Sequence, residues 1–152
     1  MTHAELVERA GSWLKGTMRC CPVIIERNCW STAESPDAFG VNSDGSVVVE
    51  CKASVSDFYA DRAKPFRVKP EDGMGRLRFY MTPKGLIRPE RLTLVPGWGL
   101  IEVWGRRVMV KRASDEFKQS SNAESLLMRS AWLSWAARHA AAGMEVPKEA
   151  RP

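Results

Sequence analysis

The stretch from Pro36 to Lys52 constrains this chain more than any other. Two apolar runs, Pro36 to Val41 and Ser46 to Lys52, flank Asn42-Ser-Asp-Gly45, and Asp-Gly between apolar runs is among the strongest short-range signals for a β-hairpin. A two-residue turn at Asp44-Gly45 opposes Asp37 to Lys52, whereas a four-residue loop from Asn42 to Gly45 opposes Asp37 to Glu50. Because strand side chains alternate with period two, both registers put Asp37, Glu50 and Lys52 on one face. A three-residue loop would oppose Asp37 to Cys51 and scatter them.

Two carboxylates opposed across a hairpin come within about 5 Å at Cβ, which destabilises the pair unless something positive sits between them. A hard divalent cation is the natural compensation, since Mg²⁺ takes one or two carboxylates together with water and substrate phosphate. Lys52 would then orient or deprotonate a water, or hold charge developing on phosphorus. This is a phosphodiester hydrolase site in outline. An isolated E-x-K on a strand is ordinarily a solvated ion pair; here Val47 to Val49 buries the strand and a capped helix follows.

The remaining pattern predicts one mixed α/β (α+β) domain over residues 1–143 around a central sheet, with 144–152 as a loose tail. Thr2 and Glu5 form a capping box ahead of Leu6, Ala10 and Leu14, with Gly16 as the stop. Val23 to Glu26 and Arg78 to Thr82 read as strands, Ser54 to Lys64 as a helix, and Gly99 to Trp104 with Val108 to Lys111 as a second hairpin. Glu71 to Gly75 and Lys84 to Gly97 read as loops. Ser121 and Glu124 suggest a capping box for a last helix, on which Leu127, Ala131 and Trp135 share a face; Trp132 and Trp135 would pack it on the sheet or serve a dimer interface.

The chain has 152 residues, 44% hydrophobic and 27% charged, enough for a core without staples. No run reaches the ~18 apolar residues a membrane span needs, and no secretory signal is visible, so a cytoplasmic, membrane-free location is expected. Cys20, Cys21, Cys29 and Cys51 lack zinc spacing and read as buried free thiols.

The net charge of +5 is concentrated. Residues 62–91 carry nine bases and three acids, and the rest of the chain is close to neutral. Arg62, Lys64, Arg67, Lys69, Arg76 and Arg78 form a candidate track for a nucleic-acid backbone. Phe79 and Tyr80 would stack on bases or, as is commoner for strand aromatics, sit in the core.

Pro36-Asp37, twelve intervening residues and Glu50-Cys51-Lys52 resemble the motif of the PD-(D/E)xK nuclease superfamily, whose core order of helix, three strands, helix and strand is also the order inferred here. More narrowly, Glu50-Cys-Lys-Ala-Ser-Val-Ser-Asp-Phe-Tyr-Ala-Asp-Arg-Ala-Lys64 looks like the signature of MmcB-like putative DNA repair nucleases and related phage-encoded proteins. The resemblance implies a restriction-endonuclease-like fold and a Mg²⁺- or Mn²⁺-dependent nuclease acting on DNA in repair, recombination or phage metabolism, in a bacterial or phage-infected cell. It implies Asp37 and Glu50 as metal ligands and Lys52 as the catalytic lysine, with Glu8 in the place of a further acidic ligand. Glu34, Asp57, Asp61 and Lys64 are accessory candidates, the last three at helical spacing, where a cap and an i,i+3 ion pair are the plainer reading. No His lies near the motif in sequence. Members of this type often act as homodimers. The alternative is a catalytically silent protein that keeps the fold and masks DNA or blocks a host defence; hydrolysis of RNA or a nucleotide messenger is a third.

Overall fold

A computed structural model describes residues 1–25, 35–118 and 121–143. The first helix, α1 (His3–Gly16), starts at the expected capping box: Thr2 Oγ1 accepts from the Glu5 N–H, and Glu5 Oε2 accepts from the Thr2 N–H at 2.7 Å. The strands β1 (Val23–Ile25), β2 (Ala38–Asn42) and β3 (Gly45–Cys51) follow, then the helices α2 (Val55–Asp61) and α3 (Pro65–Val68). Next come β4 (Leu77–Pro83), β5 (Gly99–Trp104), β6 (Arg107–Arg112) and α4 (Ser121–Ala141). The two expected loops each contain a short 3₁₀ turn, Pro70–Asp72 and Pro89–Leu94.

The strands form one six-stranded mixed sheet in chain order, with β3, β4 and β5 parallel and the other neighbours antiparallel. This is the expected mixed α/β architecture, and the order helix, three strands, helix, strand is the order read from sequence. Among the described residues no helix is long and apolar enough to cross a membrane. Glu26, Glu34, Cys29 and the tail 144–152 lie outside the described residues, as do the side chains of Ser121, Leu127 and Ala131.

The hairpin register resolves the alternatives. Ala38 pairs with Val49 and Asn42 with Gly45, so the turn residues are Ser43-Asp44 and the register is the one that carries Asp37 towards Glu50. The cause is Asn42: its Oδ1 accepts from the N–H groups of both Asp44 and Gly45, and its Nδ2 donates to the Met18 carbonyl at 2.9 Å. This side-chain turn fixes the reversal one residue earlier than Asp-Gly alone suggests.

The two faces of the sheet are unlike. Val47, Val49 and Cys51 point into an apolar layer with Leu6, Ala10, Trp13 and Leu14 of α1. Val48 belongs to the other layer, with Phe39, Phe58, Tyr80 and Trp98. The loop after α3 lies directly on this second face: Gly75 has φ +94°, and a Cβ there would fall 2.7 Å from Val48 Cγ2. Glu124 lies in the first turn of α4. Its carboxylate is buried and accepts from the Gly75 N–H, which docks α4 on the same loop.

Candidate active site

By alternation from Val48, Glu50 and Lys52 lie on the second face at the C-terminal end of β3, where α2 begins. Asp37, one residue before β2, lies beside them, and its Oδ2 accepts from the Cys51 N–H at 2.7 Å. Its other oxygen is 3.5 Å from His3 Nε2 at the start of α1. Asp37 and Lys52, with His3, Asp57, Asp61 and Lys64, line an open pocket of about 380 Å³.

Behind this pocket is a buried charged network. Lys52 Nζ donates to Glu50 Oε2 at 3.0 Å and to Asp61 Oδ1 at 3.2 Å. Asp61 also receives Lys64 Nζ at 2.7 Å, Arg67 Nε at 2.8 Å and the Tyr80 hydroxyl at 2.7 Å. Arg67 Nη2 stands 3.5 Å from Glu50 Oε1. The Arg67 guanidinium lies 4.1 Å from the Trp98 ring centroid and 4.7 Å from that of Phe66, while Phe58 and Trp98 flank Tyr80. The sequence folds this way because Ser54 caps α2 by accepting from the Asp57 N–H, Pro65 starts a new helix after three intervening residues, and α3 turns Arg67 back under Asp61.

The electrostatics follow from burial and proximity. Burial pushes the Glu50 carboxyl up from its ordinary value; Lys52 and Arg67 oppose this, and the charges of Asp37 and Asp61 add to it. Burial alone would also raise Asp61, but Arg67 and Lys52, with hydrogen bonds from Lys64 and Tyr80, outweigh it and hold Asp61 below the usual carboxylate range. Burial works against the Lys52 ammonium, yet Glu50 and Asp61 more than restore it, so Lys52 is a cation and hydrogen-bond donor at neutral pH rather than a base. Burial raises the Tyr80 hydroxyl, which therefore stays a donor to Asp61.

The donor set suits a hard divalent cation in kind. Asp37 lines the pocket, Glu50 Oε1 is buried and accepts no hydrogen bond, and the Asp37 charge helps to raise the Glu50 carboxyl. Two carboxylates are the number Mg²⁺ takes when waters complete its shell. No third carboxylate joins them: among the described residues no three His, Cys, Asp or Glu side chains are grouped to hold a metal.

Several expected residues fall elsewhere. Glu8, five residues beyond His3 and so about 140° round α1, lines a separate depression with Met1, Glu5 and Arg9 and does not reach the Asp37 pocket. Arg67 and Arg78 are not available to a nucleic-acid backbone. Arg67 is committed to Asp61 and Glu50; Arg78, on a strand covered on both faces, donates to the carbonyls of Gly75 and Pro70 and stacks on Phe117. Arg76 is ion-paired with Glu116. Phe79 and Tyr80 are core residues in opposite layers. Arg62 and Lys69 remain exposed, and Lys64 is half-exposed beside Asp61. Asp57 borders the pocket, and its N–H is capped by Ser54. His3 is the residue that sequence reasoning missed: it lies 34 positions from Asp37, and only the placement of the α1 N-terminus against the hairpin joins them.

No family model matches the chain, and no curated protein matches it. Among solved structures it is similar to the SPO1766 protein of unknown function from Silicibacter pomeroyi, with a TM-score of 0.63 and 20% identity over 93% of this chain and 91% of that one. At that identity the likeness shows the shared mixed α/β fold.

Proposed function

We propose that this protein is a divalent-metal-dependent nuclease that hydrolyses DNA phosphodiester bonds. The observation that supports the reading is the meeting of Asp37, Glu50 and Lys52 at one end of one sheet face, beside an open pocket. Asp37 and Glu50 would hold Mg²⁺ or Mn²⁺, which when bound supplies an activated water and neutralises charge on phosphorus. Lys52 donates to a phosphate oxygen as charge develops there, and Asp61 fixes its direction. Arg67 and Tyr80 hold Asp61 in turn, so the lysine is positioned by groups that never touch the substrate. Arg62, Lys64 and Lys69 give the backbone its exposed cations, and such contacts confer little sequence preference. The expected setting is the cytoplasm of a bacterial or phage-infected cell, and a homodimer would suit cleavage of both strands.

A metal-dependent cleavage screen over single-stranded, double-stranded and branched DNA and RNA tests this. Lys52→Ala and Asp37→Ala should each lower the rate by about 10²–10³ or more; undiminished cleavage by either variant would sink the reading. One observation favours a second reading, a silent nuclease-fold protein that binds DNA or a defence factor: Glu50 is enclosed by Lys52 and Arg67. That reading requires salt-sensitive binding that survives both substitutions, with no cleavage of any substrate.

A further inference from the structure

A cavity of about 610 Å³ lies away from the Asp37 pocket and shares no lining residue with it. Its floor is the edge strand β1 with the preceding Cys21 and Pro22, and its walls are the last turn of α1 and the C-terminal half of α4. Lys15 enters from α1, and Trp135, Arg138 and His139 enter from α4. Among the described residues, none that lines it is an aspartate or glutamate. Bases in the last turns of helices ordinarily complement the helix dipole. Here two helices bring Lys15, Arg138 and His139 to one cavity, where they offset the partial negative charge of both helix ends and present cationic donors on a concave surface.

The cavity also offers a planar surface. Trp135 and His139 are stacked at 4.0 Å with an interplanar angle of 30°, and the imidazole is held there by a 2.9 Å hydrogen bond between Nδ1 and the Trp135 carbonyl. That bond fixes the ring and leaves Nε2 as its other polar atom. Val23 and Ile24 of β1 add apolar side chains to the lining. An aromatic plane, apolar side chains and basic groups select a ligand that is flat and apolar at one end and anionic at the other. A volume in the ordinary range for small-molecule sites fits a mononucleotide.

We propose that this cavity is a nucleotide-phosphate site, in which a base lies against Trp135 and His139 and the phosphate is held by Lys15 and Arg138. The site is independent of the proposed nuclease reaction. Calorimetric titration of the full chain at low salt with adenosine 5′-monophosphate, adenosine and inorganic phosphate tests it. The monophosphate should bind more tightly than either fragment. Lys15→Gln and Arg138→Gln, both on exposed side chains, should each weaken it about tenfold, and Trp135→Leu by a similar factor. Lys52→Ala should leave the affinity unchanged. A 5′-phosphorylated single-stranded tetranucleotide separates two sources of the same chemistry: tighter binding than the monophosphate assigns the cavity to a strand end, and equal or weaker binding assigns it to a free nucleotide. No saturation by the monophosphate up to about 10 mM, equal affinity for adenosine, or affinity lost in Lys52→Ala but kept in Lys15→Gln would each overturn the proposal.

Discussion

The two faces of β3 are built from alternate residues of one strand, yet they solve opposite problems. Val47, Val49 and Cys51 meet Leu6, Ala10 and Leu14 in a layer held by apolar burial. Val48, Glu50 and Lys52 share a face on which three further ionised or polar groups, Asp61, Arg67 and Tyr80, are also buried. Burial of charge is costly, and well-packed apolar residues of similar volume would be at least as stable. Apolar packing on both faces accounts for the fold, while the second face also carries charged groups that stability alone does not require. The charged end of the second face is where the pocket opens.

Breaking the network is the most direct way to separate the faces. Arg67→Ala removes the cation shared by Glu50 and Asp61, and urea unfolding should show a loss of about 3–5 kcal/mol; a loss below about 1 kcal/mol would mean that the charged face is solvated after all. The matching cut on the apolar face is Leu14→Ala. It should cost about 3 kcal/mol, with cleavage per folded molecule unchanged in the presence of Mg²⁺, because that layer acts on the site through the fold. Lost cleavage at intact stability would erase the division.

The smallest effect sharpens the contrast within the charged face. Burial raises the Glu124 carboxyl, against the hydrogen bonds from Ser46 and Gly75 and the charge of Arg78. The folded state thus holds the Glu124 proton more tightly than the unfolded chain, and stability falls as pH rises from the ordinary Glu range through the raised value. Glu124→Gln keeps an acceptor for the Gly75 N–H without the buried charge. Thermal unfolding should show it equal to or more stable than wild type at pH 7, by up to about 1 kcal/mol, with the difference vanishing near pH 4. A difference independent of pH would show that the charge of Glu124 is not what matters.

Much of this was legible in the sequence because it is local. The capping box at Thr2, the hairpin at Asn42 to Gly45, the cap at Ser54 and the common face of Asp37, Glu50 and Lys52 all follow from short-range rules, and each is present. The disposition of the bases was not legible. Arg67 and Arg78 contribute to a positive stretch in sequence, but α3 folds Arg67 under Asp61, and Arg78 lies on a central strand with a packed layer on each face. An even-numbered step from Tyr80 already put Arg78 on Tyr80's face, and a central position for that strand would have predicted its burial. Glu8 was placed by analogy along the chain, and the rotation of the helix carries it away. His3 reaches Asp37 by tertiary placement, for which no local signal exists.

The Asn42 turn has a consequence for how this chain can vary. It sits at the opposite end of β3 from the chemistry, yet it sets the parity of every residue between Ser46 and Lys52. One residue gained or lost just after Ser46 would invert the strand, sending the glutamate and lysine into the layer against Leu14 and Val47 and Val49 onto the charged face. Two gained together would restore the order. Length change in this hairpin is thus governed by an odd–even rule, and the far turn acts as the origin from which the reactive residues are counted.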